Sequence, residues 1–249
     1  MPIWKYSLAP LPERRVHRRA SPALTHLGVA HNTLQGIFES LHVVRQTASS
    51  SGRDARGRLK EGEVDLLRSA LVLAGSGLDA VVKRLARDAL PQLLAVGSTQ
   101  IAADKVFKAH VSTQVRDKTP STSWTQAILD PDPRQAMIRL YVEERTSGSL
   151  QNEKDLRAMR DALGISDKTI TDHQIAGLAP FLTARNQVAH DLDIKAPEDP
   201  SWGPRHRRRI STVVAQCDLV LGIAGAFVDA VSDELGGPPS LGRPRRKKS

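Results

Sequence analysis

Arg185-Asn186-Gln187-Val188-Ala189-His190 places an arginine, an asparagine and a histidine within six consecutive positions. Those residue types suit cleavage of a phosphodiester. Imidazole is the side chain that exchanges a proton near neutral pH. Guanidinium stays charged and offers a planar fork of donors that matches phosphate oxygens. An amide beside them can orient one or the other. On a helix, residues four apart lie about 40° apart and residues five apart about 140° apart. Asn186 and His190 then share a face, positioned for the amide to hold the imidazole, and Arg185 projects from the flank. One arginine and one histidine make a sparse site. Two copies facing each other across a two-fold axis supply two of each.

The elements that must carry this set read as helices. Pro180 starts or breaks one, and Phe181 to about Leu192 carries the motif. Upstream, Ser21-Pro22 is an N-cap followed by a first-turn proline, with apolar spacing to about Arg45. Thr47 to Arg58 is a flexible connection. Leu67, Ala70, Leu71, Ala74, Leu78, Val81, Val82 and Leu85 recur at three- and four-residue steps and predict a second helix ending before Pro91. Gly75 and Gly77 within it would let another helix approach closely. Further helices are predicted from Leu93 to about Val111, Gln135 to Glu144 and Glu153 to Leu163, the last stopped by Gly164. Residues 112 to 133 read as polar connection, and a loop rich in proline runs from 197 to 204. A long apolar-faced helix extends from about His206 to Leu235 and stops at Gly236-Gly237-Pro238-Pro239. No segment alternates as a strand, so the expected class is an all-α bundle.

Composition narrows the functions. The chain has 249 residues, 40% hydrophobic and 4% aromatic, which disfavours RNA binding on a platform of stacked aromatic rings. A net charge of +9 and a pI near 10.0 suit an anionic partner. Basic residues gather at 14–19, at 205–209 and in the tail from Arg243. Residues 1–20 and 237–249 are expected as disordered basic arms flanking a domain over 21–236. Cys217 is the single cysteine and falls on an apolar stripe, the position of a buried, inert thiol. No apolar run is expected to span a bilayer and no secretory leader is evident, so the expected location is cytoplasmic. His26, His31 and His42 show no ligand spacing, and neither a metal nor a cofactor is expected.

Arg-Asn-x-x-Ala-His near the start of a helix, followed by a loop and a long final helix, resembles the Arg-x4–6-His motif of the HEPN superfamily. The run from Asp65 to Val81, with its Leu78-Asp79-Ala80 step, is similar to a helix of the RiboL-PSP type of HEPN domain. The resemblance spans roughly residues 22 to 236. It implies a helical bundle that dimerises and a metal-independent endoribonuclease of the toxin–antitoxin or antiviral kind. It also implies RNA as substrate, and an antitoxin or sensor protein as a further partner. Arg185 and His190 would be catalytic and Asn186 supporting. Val188 stands where one HEPN branch has a tyrosine two positions before the histidine.

Other readings stay open at this stage. Asp79 sits in an apolar stripe, where a carboxylate needs a partner; it either pairs structurally or supports the site. Asp191 and Asp193 either orient His190 or end the helix in solvent. The HEPN fold also admits a non-catalytic RNA-binding or interaction module. A different class, a helix-turn-helix DNA-binding regulator, is suggested by Leu156 to Ile175, although Arg160 occupies a position normally held by a small residue.

Overall fold

In the computed structural model the described residues are 6–50, 59–95, 101–116, 121–195 and 204–237. Expectations for 51–58, for 197–203 and for the tail from 238 lie outside them. Helix α2 (Glu61–Leu93) is the axis of the molecule, because its apolar positions at helical spacing are buried on more than one side. Against it pack α1 (Ser21–Ser50), α9 (Ile210–Glu234), α5 (Pro133–Ser147) and α8 (Ala179–Asp191). Two peripheral groups complete the bundle. Helix α4 (Thr122–Ile128) lies on α5, while α3 (Ile101–Arg116) packs on α6 (Glu153–Ala162), which leads into the single turn α7 (Asp172–Ala176). The protein is all-α. The described residues hold no strand, only an isolated antiparallel bridge between Ile194 and Arg205.

Local chemistry explains most boundaries. Asp132 caps α5 by accepting from the Gln135 N–H, with Pro133 in the first turn. Gly164 takes φ +74 after α6, and the Ile165 N–H donates to the Arg160 carbonyl at 3.1 Å. Gly75 and Gly77 of α2 are used for close approach. A Cβ at Gly77 would stand 2.8 Å from Ala30 of α1, and one at Gly75 would stand 3.3 Å from the Arg185 side chain of α8.

Several expectations are corrected. Helix α2 runs through Pro91 to Leu93, because proline in the last turn forfeits one backbone bond while Leu90, Leu93 and Leu94 are buried and hold the turn in place. Helix α1 continues to Ser50, and α3 starts at Ile101 rather than Leu93. Residues 112 to 133 hold the end of α3 and all of α4, whose buried Trp124 donates to Glu144 at 2.7 Å. Helix α9 is long and apolar enough, at 25 residues, to cross a membrane by length and composition, and 50% of its most apolar 18-residue window is buried within the bundle.

The N-terminal arm also departs from expectation. Residues 6–20 lie across α1 and α9. Leu8 is buried, and Tyr6, Leu11 and Val16 pack on the core. The Leu8 N–H donates to Gln35, the Ala9 N–H to Asp218 and the His17 N–H to Ser232. Arg14 donates to the Asp229 carboxylate at 3.0 Å. Charge and proline made this segment look unable to fold. Its few apolar residues and the acceptors waiting on α1 and α9 outweigh them.

Candidate functional site

Helix α8 is positioned at both ends before any functional side chain is considered. Thr171 and Gln174 form a capping box on α7, and α8 follows after Leu178 with Pro180 in its first turn. Phe181, Leu182 and Ala184 anchor it by burial. At its far end Leu192 and Asp193 both adopt left-handed backbone, with φ of 50° and 66°. Such conformations cost non-glycine residues about 1–3 kcal/mol each and persist only where the surroundings impose them.

The imposing group is the Asp193 carboxylate, which is fully buried. Arg68 of α2 donates to it at 2.8 Å, and Arg208, just before α9, donates to both of its oxygens. The Asp193 N–H donates to the Gln187 carbonyl at 2.8 Å, and the His206 N–H to the Asp193 carbonyl at 2.8 Å. Arg68 also bridges Glu61 and Asp65, which pair in turn with Arg205. Burial works against the Arg68 charge, and the hydrogen bonds it donates to Asp193, Asp65 and Glu61 more than offset it, so its pKa is raised. Three segments distant in sequence are thus tied at the end of α8. Asp193 ends the helix in the interior rather than in solvent.

Within this frame the motif residues are placed as follows. The Arg185 stem lies along Gly75 of α2, and its Nη1 donates to the Asn186 Oδ1 at 3.0 Å. Arg185 and Asn186 are both half-buried. No carboxylate pairs with Arg185 among the described residues, whereas Arg68, Arg205 and Arg208 nearby are all bridged. His190 is exposed in the last turn of α8 and makes no hydrogen bond among the described residues. Asn186 therefore orients the arginine and leaves the imidazole unheld, the reverse of the role expected for it. A cleft of about 530 Å³ opens beside α8, lined by Val188 and Leu192 together with Ser69, Val72 and Leu73 of α2.

Asp79 does not join this set. Its Oδ1 accepts from the Leu150 N–H at 2.8 Å and its Oδ2 pairs with Lys83 at 2.8 Å. Both oxygens are engaged in fixing α2 to the loop after α5, which is the structural alternative. Cys217 is buried, and burial pushes its thiol up to about 12, which suits an inert core residue. Arg160 is buried and spends its fork on Asp161, Asp172 and the Ile170 carbonyl. The helix after that turn, α7, has five residues. So short an element offers little to lie along a DNA groove.

Sequence reasoning missed the cluster of Arg68, Asp193 and Arg208. A signal existed in Arg68, which falls among the apolar positions of α2, where a charge demands a partner. The partner lies 125 positions away and had no local mark. Comparison with family models, with curated proteins and with solved structures gave no match.

Proposed function

We propose that this chain is a metal-independent endoribonuclease of the HEPN type, whose site is completed when two copies bring their Arg185-to-His190 segments to one groove. The observation that carries this reading is the treatment of Arg185. Its stem lies along Gly75 and its Nη1 is held by the neutral amide of Asn186; unlike Arg68, Arg205 and Arg208 it meets no carboxylate among the described residues, so its charge is kept for an incoming phosphate. An exposed imidazole that makes no hydrogen bond among the described residues stands five residues further along the same helix.

In the proposed reaction the ribose 2′-oxygen attacks its own phosphorus and the bond from phosphorus to the 5′-oxygen breaks. His190 takes the 2′-hydroxyl proton, and the histidine of the second copy gives a proton to the departing 5′-oxygen. Arg185 donates to the phosphoryl oxygens as charge gathers there. The products are a 2′,3′-cyclic phosphate and a 5′-hydroxyl, and DNA is refused because it lacks the nucleophile. Such an activity suits a toxin or an antiviral effector, restrained by an antitoxin or released by a sensor.

A second reading, a HEPN-type module that binds without cutting, is favoured by one feature: nothing among the described residues orients His190. Assay of single-stranded RNA with purified protein in EDTA separates the two. Cleavage should persist, leave ends that resist ligation until the cyclic phosphate is opened, and come from a species of twice the 27.2 kDa chain mass by light scattering. Intact RNA, from protein freed of any inhibitor and supplied with its trigger, leaves the binding module. Cleavage by a strict monomer refutes the shared site.

A further inference from the structure

On the side of α8 away from Arg185, a groove of about 480 Å³ separates that helix from the start of α9. Its polar lining comes from Thr183 and Gln187 of α8, Thr212 and Gln216 of α9, and Arg207, Arg208 and Arg209 between them. None of its lining residues is acidic. Arg208 is spent on Asp193, but Arg207 and Arg209 are exposed and pair with no carboxylate among the described residues.

The neutral groups are also set as donors. Gln187 uses its Oε1 to accept from Arg208 Nη2 at 3.0 Å. A guanidinium can only donate, so the amide nitrogen of Gln187 is the end left open. Helix α9 begins at Arg209 without a side-chain cap, which leaves the first-turn N–H groups and their partial positive charge beside the same space. The groove thus offers cations and donors with no competing negative charge. That is the chemistry of an anion site.

Helical geometry links the groove to the motif. Thr183, Gln187 and His190 fall within about 60° of one another around α8, and His190 lies about 4.5 Å further along the axis than Gln187. A strand of phosphates lying in the groove passes His190 and then Asn186 before reaching the Arg185 flank.

We propose that this groove binds the backbone phosphates of single-stranded RNA next to the scissile one, through Arg207 and Arg209. The proposal rests on the nuclease reading for the identity of the polyanion.

The test uses the full chain carrying His190→Ala, so that bound RNA stays intact, and a fluorescent single-stranded RNA oligonucleotide read by anisotropy over a range of salt. Adding Arg207→Gln and Arg209→Gln should weaken binding about tenfold and lower the slope of log affinity against log salt by about 1.4, since each single-strand phosphate contact contributes about 0.7. Lys154→Gln with Lys168→Gln removes the same charge from exposed sites elsewhere and should change little. Circular dichroism and the melting temperature should be unaltered in both double variants.

The proposal is overturned if the arginine pair can be lost without change in affinity or slope, or if the lysine pair matters as much. Absence of RNA binding, or tighter binding of duplex DNA, overturns it as well. Arginine-dependent binding with no cleavage by wild-type protein leaves the groove standing and removes the nuclease reading. Cleavage by wild type, with an unchanged KM after loss of the arginine pair, does the reverse.

Discussion

Arg185 and Arg208 share the surroundings of one helix, and their partners decide what each can do. Arg208 meets a buried carboxylate and is neutralised, so it serves the fold. Arg185 meets an amide oxygen at 3.0 Å, so its position is fixed without its charge being spent. This difference sets the expected ranking of variants. His190→Ala and Arg185→Ala should each reduce RNA cleavage by about 100-fold or more, the usual yield of a positioned proton-transfer group or oxyanion donor. Arg185→Lys should recover little, because an ammonium cannot supply the two-pronged contact. Asn186→Ala removes only the hydrogen bond that aims the arginine and should cost about tenfold, or about 1.4 kcal/mol. Equal loss for Asn186→Ala and Arg185→Ala, measured as initial rates on one oligonucleotide, would contradict the orienting role.

Helix α8 owes its position more to its end than to its own sequence. Two consecutive left-handed residues turn the chain inward, and the ionic cluster around Asp193 holds them there. Removing one partner of a buried ionic contact leaves the other uncompensated. Asp193→Ala should therefore cost about 3–5 kcal/mol by urea unfolding, with Arg68 and Arg208 left facing each other. Asp193→Asn keeps hydrogen-bonding capacity and should lose less. If Asp193→Ala unfolds at the wild-type urea midpoint, the cluster does not hold α8. The same logic separates this aspartate from Asp79, which steadies a loop and whose loss should leave cleavage chemistry alone.

At the scale of the molecule, α2 packs against α1, α5, α6, α8 and α9, and the arm of residues 6–20 straps α1 to α9. Deleting residues 1–20 exposes the surface that Leu8, Leu11 and Val16 cover. Burial of one leucine alone is worth about 1.5–3 kcal/mol. The deletion should accordingly lower the melting temperature by several degrees in a calorimetric scan, and an unchanged value would show that the strap contributes nothing. A charged, proline-containing stretch is a poor guide to disorder when even three of its side chains find a prepared apolar surface.

Helix content and the faces of α1, α2 and α9 were legible from the sequence, because amphipathic spacing is a local property that the chain carries wherever it goes. So were the stop at Gly164, the use of Gly75 and Gly77 for close approach, and the burial of Cys217. Ser21, expected as the cap of α1, is instead its first helical residue, and the Leu24 N–H donates to the Ala20 carbonyl. The motif itself was legible as residue types at a spacing. What each motif residue does depended on the tertiary structure. Asn186 turns to Arg185 instead of His190 because α2 brings Gly75, with no side chain in the way, against the arginine stem. Asp193 is interior because Arg68 arrives from 125 positions upstream. Periodicity reports which face of a helix is apolar. It carries no information about which charge meets which across the fold, and those meetings decide whether an arginine is free to bind phosphate.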